Sequence, residues 1–380
     1  MKINNVKIII KIKYIIIMVS FLTIFSACKK TNETNETTVI AEGKDSDAAL
    51  ATDKGKLSDP DGKPADMSKP VKVFIVMGQS NTLEMGKVKG ADKNGTLEHA
   101  TKTEKLYPFL VDDAGNWTTR KDVRNVSVMA GKKGIYRNDW LTISGKKMGI
   151  EVGIGHQLGN AIDAPVMILK SSIGNRSLGW DLLPPGTPRT TYEGVEVAGY
   201  KETIKSKKDK TIVPFVKGGD CLQWYAGLQY DADVANAKAI LADLNKYYPD
   251  AKGYEVAGFL WWQGDKDRYN KAHAAMYEQN LVNLAKSLRK DFNAPKAAFV
   301  TASLGQTKEG STKNDGLILN AMKNLASDKY SKELGDNIGF VYTHLLSKGS
   351  SSNAHYGGNA QTYMNVGLEM GKEMVKQLKK

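Results

Sequence analysis

The chain has 380 residues, 41% hydrophobic and 25% charged, which are globular proportions that exclude a mini-protein, a collagen-like repeat and a low-complexity chain. Its two cysteines, Cys28 and Cys221, supply neither a disulfide framework nor a cysteine-based zinc site, so stability must come from a packed core. The formal net charge is +13, yet Lys2, Lys7, Lys11 and Lys13 cluster at the start and the remaining excess is dispersed, with no Arg-rich run interleaved with aromatics, so a nucleic-acid partner is not expected.

Residues Met1–Lys13 are lysine-rich, and Tyr14–Ala27 form an apolar run too short for a comfortable membrane span that ends in small residues, the pattern of a signal peptide. Phe25-Ser26-Ala27-Cys28 resembles a bacterial lipobox, in which Cys28 would become the lipid-modified first residue, attached to the membrane at the cell envelope. An ordinary cleavable signal or an uncleaved anchor are the alternatives. From Lys29 to Lys69 the chain is polar, carries Pro60 and Pro64, and offers almost no large apolar side chain, so it reads as a flexible tether. One domain from residue 70 to 380 is expected to follow. Cys221, left without a partner, is expected to pack as a small hydrophobe.

Five short apolar runs read as buried strands: Val71–Met77, Pro165–Leu169, Val256–Trp262, Ala297–Ala302 and Ile338–Leu345. Helical patterns accompany them at Gly153–Ala161, Ala232–Tyr247, His273–Phe292, Leu317–Ala326 and Gly357–Leu378. The alternation makes this an α/β chain built of βα units, in which a ligand sits beyond the carboxyl ends of the strands.

Those loops carry the candidate chemistry. Gly78-Gln79-Ser80-Asn81 places a serine directly past the first strand, where a nucleophile would be exposed, although a serine there is also a common helix cap and needs a base to act. The second strand leads into Gly174, whose backbone can approach a ligand closely, with Arg176 and Trp180 available to line a pocket. The third ends in Trp262-Gln263-Gly264-Asp265-Lys266-Asp267, where the Gln263 amide could donate to an oxyanion. Lys266 between the two aspartates, and the absence of a clustered third ligand, point away from a metal, and no cofactor is expected. Of the five histidines, His99 lies in a polar stretch, His156 and His273 fall in expected helices and His344 sits in the last apolar run. His355 differs, standing in a polar loop just before the last amphipathic helix, from which an imidazole can return to the strand ends.

In GQSN, WWQG and the pre-helical HYGG, in that order over Val71–Met374, the chain resembles the SGNH (GDSL-like) hydrolases, in particular the sialate O-acetylesterase and acetylxylan-esterase branch grouped as carbohydrate esterase family six. The resemblance implies a three-layer flavodoxin-like fold with a mostly five-stranded parallel sheet. It also implies a serine esterase acting on an acetylated carbohydrate, with Ser80 as nucleophile, His355 as general base and then acid, and an oxyanion held by the N–H groups of Ser80 and Gly174 and the side chain of Gln263. Gln79, Asn81, Arg176, Trp180 and Trp262 would contact substrate, and Trp180, Trp224, Trp261 and Trp262 suit stacking on sugars. One departure stands out. The family reads Asp-x-x-His in its last block, whereas Ser352 lies three residues before His355. The acid is then expected from another loop, Asp267 first and Glu151 second, or the site runs as a dyad helped by a backbone carbonyl or Ser352. A carbohydrate-binding lipoprotein with a degenerate site is the alternative function.

Overall fold

The computed structural model of the chain describes residues 64–129 and 134–380. The expected signal peptide, Cys28 and most of the tether lie outside the described residues. No helix among the described residues is long and apolar enough to cross a membrane.

The main sheet comprises β1 (Val71–Gly78), β2 (Thr119–Met129), β3 (Gly134–Thr142), β4 (Val166–Ser171), β5 (Tyr254–Trp262), β6 (Ala298–Ala302) and β7 (Ile338–Val341). They lie side by side in the order β7-β6-β5-β1-β4-β2-β3, all pairings parallel except β2 with β3. The five expected strands run unbroken from the β7 edge to β4, and among themselves take the flavodoxin-like order 2-1-3-4-5. The sheet is larger than expected, because β2 and β3 extend it by two. Charged residues on β2, among them Arg120, Lys121, Asp122 and Arg124, hide its alternation next to the edge strand β3, where the sheet begins to meet water.

Helices α1 (Glu151–Ala161), α2 (Leu228–Ala242), α3 (Lys271–Asp291), α4 (Asn314–Leu325) and α5 (Ala360–Gln377) complete three layers. Along β1, Val73, Ile75 and Met77 pack with α2, α3 and α4, while Phe74 and Val76 pack with α1 and α5. Burial on both faces explains why the strands read as continuous apolar runs rather than alternating ones. Helices α1 and α5 touch backbone to backbone, since a Cβ on Gly153 would come within 2.5 Å of the Leu368 nitrogen. Two boundaries differ from expectation. The last strand stops at Val341, and His344 enters a short 3-10 turn with Nδ1 2.7 Å from the Gly305 carbonyl. Helix α5 begins after Asn359, whose side chain accepts from the Gln361 and Thr362 N–H groups.

Between β4 and α2 the chain inserts two small antiparallel ladders, 190–192 with 195–197 and 202–204 with 212–214. They rest on a satellite cluster of Leu183, Ala198 and Ala226, against which Trp180 packs. Cys221 lies in this insertion, only partly buried, its Sγ 3.5 Å from the Val216 carbonyl, and so does not enter the core as expected.

Candidate active site

Because β4 pairs with one side of β1 and β5 with the other, the carboxyl end of β1 is a topological switch point, where connections leave in opposite directions and open a crevice. Ser80 emerges there. Gly78 has φ of +154°, and a Cβ on it would lie 2.4 Å from the Trp262 carbonyl oxygen, so only glycine lets β1 turn so close to β5. The turn closes as a 3-10 helix over Ser80–Thr82, with the Thr82 N–H and hydroxyl both donating to the Gln79 carbonyl. Ser80 is half-exposed while Gln79 and Asn81 on either side are buried.

Gly174, after β4, lies against this turn: a Cβ on it would sit 3.4 Å from the Cβ of Ser80. Neither the Ser80 nor the Gly174 N–H donates to a described residue. Asn81 adds a buried side-chain oxygen with no partner. The segment Ser352–Gly358, which carries His355, packs on Ser80–Thr82. His355 and Tyr356 both have left-handed backbones, with φ of 50° and 53°. Each such non-glycine conformation costs on the order of 1 kcal/mol or more and persists only where surrounding contacts enforce it. Here the Tyr356 ring stacks on Trp262 at 5.7 Å, its hydroxyl accepts from the Gly305 N–H, and the Tyr363 hydroxyl donates to the His355 carbonyl. The His355 ring itself hydrogen-bonds no described residue.

The structure reassigns both carboxylates expected to orient His355. Asp267 is fully buried and accepts from the N–H groups of Leu178 and Gly179 and from Gln263 Nε2 at 2.6–2.9 Å. Burial raises its pKa against these donors and against His273, the nearest imidazole at 4.0 Å. Asp267 thus pins the loop after β4 and makes no hydrogen bond to His355. Glu151, at the start of α1, accepts from Lys170 Nζ at 2.8 Å and from the Gly149 N–H. Burial works to lower the Lys170 pKa, but the neighbouring Glu151, Tyr136 and Glu84 and the Glu151 hydrogen bond together outweigh it and the net shift is upward, so a charged Lys170 ties β4 to α1.

Asp265, considered in the sequence only as a metal ligand, is the carboxylate that reaches the histidine loop. Its Oδ1 accepts from the Ser352 hydroxyl at 2.5 Å and from Arg268 Nε at 2.9 Å. Ser352 is 1% exposed, so the contact is dry. The residue standing where the family has its acid is therefore bonded to an acid from the end of β5.

Gln263 also departs from expectation. Its Nε2 faces three acceptors, Asp267 Oδ2, the Arg176 carbonyl and Gln79 Oε1, while its Oε1 accepts from the Tyr277 hydroxyl. Two amide hydrogens cannot serve these and an oxyanion as well. Trp262 is fully buried, with Nε1 donating to the Ser303 carbonyl, and Trp261 donates to Tyr277, so neither indole can stack on a sugar. Gln79 accepts from Gln263 and from the Lys266 N–H, and so holds the β1 and β5 loops together. Arg176 stays partly exposed, stacked over Trp224 at 4.7 Å with Nε 3.2 Å from Gln229 Oε1, and Trp180 is half-buried.

The family model described as carbohydrate esterase, sialic acid-specific acetylesterase matches residues 187–376, half of the chain. The chain belongs to this family of carbohydrate esterases. The matched stretch contains Gln263, Asp265, Ser352 and His355, whereas Ser80 and Gly174 precede it. No curated protein matches the sequence. Among solved structures, a protein of Arabidopsis thaliana is similar over 81% of this chain and 99% of its own, at 15% identity and a TM-score of 0.45. A carbohydrate acetylesterase from Xanthomonas citri is similar over 80% of this chain and 55% of its own, at 12% identity and a TM-score of 0.46. NanS is similar over 72% of this chain and 78% of its own, at 15% identity and a TM-score of 0.40.

Proposed function

We propose that the chain is a serine esterase that removes O-acetyl groups from a carbohydrate through an acetyl-enzyme. The observation that carries this reading is the apposition of Ser80 and Gly174 at the switch point, with both N–H groups unengaged and the His355 segment packed against them. Two adjacent free amides beside a half-exposed hydroxyl form the minimal pocket for a tetrahedral oxyanion.

In this reading the Ser80 hydroxyl attacks the acetyl carbonyl as its proton passes to His355. The carbonyl oxygen becomes an oxyanion between the two N–H groups. As the tetrahedral intermediate collapses, the imidazolium returns the proton to the departing sugar oxygen. Water then attacks the acetyl-serine by the same route and releases acetate. The Ser352 hydroxyl donates to Asp265, which leaves its oxygen lone pairs open to accept from the His355 ring N–H once that ring engages Ser80, so the charge of the missing family acid would be supplied one hydroxyl further back. Catalytic hydrogen bonds often shorten only once substrate is bound, which fits Ser80 and His355 in adjacent segments without a direct bond.

Release of 4-nitrophenol from 4-nitrophenyl acetate tests the reading. Ser80→Ala and His355→Ala should each abolish turnover while leaving the fold intact, and their effects should not multiply, because nucleophile and base act as a unit. Turnover above about a tenth of wild type in either variant, far more than such unit deletions leave, would remove that residue from the mechanism. The second part of the proposal is location: lipidation at Cys28 and the polar segment after it would hold the esterase at the bacterial envelope, near extracellular glycans.

A further inference from the structure

A cleft of about 540 Å³ opens where the 187–214 insertion meets the first turn of α3, lined by Trp180, Glu196, Lys210, Ile212, Ala272 and His273 among others. Its volume lies within the ~300–1,000 Å³ of small-ligand sites. The lining combines a half-buried indole, an imidazole whose pKa burial has lowered, one ammonium and one carboxylate. Asn270 borders it as well, its Oδ1 accepting from the His273 N–H to cap α3 and its amide nitrogen left free. An aromatic face for the CH side of a ring, uncharged donors and acceptors around it, and balanced formal charge suit a neutral sugar.

The cleft is built onto the nucleophile turn through buried polar groups. Gln79 accepts from Gln263, Gln263 donates to Asp267, and Asp267 takes the N–H groups of Leu178 and Gly179, which directly precede Trp180. His273 packs on Gly179 so closely that a Cβ there would lie 2.4 Å from its ring. Trp180 and His273 are therefore held in fixed relation to Ser80, on the same end of the sheet.

We propose that this cleft is a second saccharide subsite, which binds a neutral sugar unit flanking the acetylated one. The substrate class is then an acetylated oligo- or polysaccharide rather than a free acetylated monosaccharide. The substrate statement rests on the esterase reading above, whereas occupation of the cleft by a sugar does not.

Two measurements on the full chain separate the two. In titration calorimetry, unacetylated xylotetraose or cellotetraose should bind the wild type, and Trp180→Ala and Ala272→Met, the latter filling the cleft from the first turn of α3, should each weaken binding at least tenfold. Failure of both tetrasaccharides to bind, or binding unchanged in both variants, would overturn the subsite. In acetate-release assays, acetylated xylotetraose should exceed acetylated methyl xyloside at least tenfold in kcat/KM, mainly through KM, and Ala272→Met should reduce that ratio below about two. A ratio near one in the wild type, or one unmoved in Ala272→Met, would also overturn it. Tetrasaccharide binding without acetate release from any ester would leave the subsite standing and remove the esterase reading.

Discussion

Three N–H donors converge on the buried Asp267 carboxylate, and that convergence decides what the residue does. Asn cannot replace it quietly, because an amide presents only one acceptor oxygen and would turn a donor toward another donor. Asp267→Asn is expected to lower stability by about 1–3 kcal/mol, the cost of leaving a buried donor unsatisfied, measured as a fall in the urea midpoint. Lost turnover with undiminished stability would return Asp267 to a catalytic role. Asp265 carries the opposite expectation. Asp265→Asn should cut kcat by roughly 10- to 100-fold with little change in KM, less than the ~10⁴ of an acid bonded directly to histidine, because a hydroxyl stands between. Ser352→Ala should lose a similar factor, and the double variant no more than either, since the two act in series. Multiplying losses would refute the relay.

At the scale of elements, α1 carries a group that links stability to pH. His156 is buried against Phe109, with ring centroids 4.7 Å apart, Nδ1 has no partner, and burial with the nearby Arg120 holds its pKa well below the usual imidazole value. The unfolded chain therefore takes up this proton first as pH falls below about 6.5, and stability present above that value is lost progressively below it. Relative to His156→Phe, the wild type should lose about 1 kcal/mol or more between pH 7.5 and 5.5, at up to ~1.4 kcal/mol per pH unit, in urea titrations of both proteins. An unchanged difference would mean that the imidazole charges in place. The strands beyond β4 show why elements differ in legibility. β1 reads plainly because both its faces are buried, whereas β2 carries Arg120, Asp122 and Arg124, whose mutual and cross-strand bonds form only once the edge is assembled.

For the molecule as a whole, the proposed attachment can be separated from the fold. Wild-type protein should fractionate with membranes and be extracted by detergent, and Cys28→Ala should abolish lipid labelling and shift it to the soluble fraction. Recovery of unlipidated wild-type protein in the soluble fraction would rule out the anchor. The sequence by itself determined the layered α/β architecture and the place of Ser80, because a run buried on both faces must be apolar and the turn that ends it is local to a few residues. The same locality marked Gly174 and the His355 loop as candidates, each beside a strand or helix end. What only the tertiary structure decided is which polar groups are already engaged. Asp265 and Ser352 lie 87 positions apart, and Gln263 and Gln79 184 apart, so no local pattern records their pairing. Every polar side chain has a short-range directional appetite for partners, and only the folded chain shows which partners satisfy it and which donors remain for a substrate.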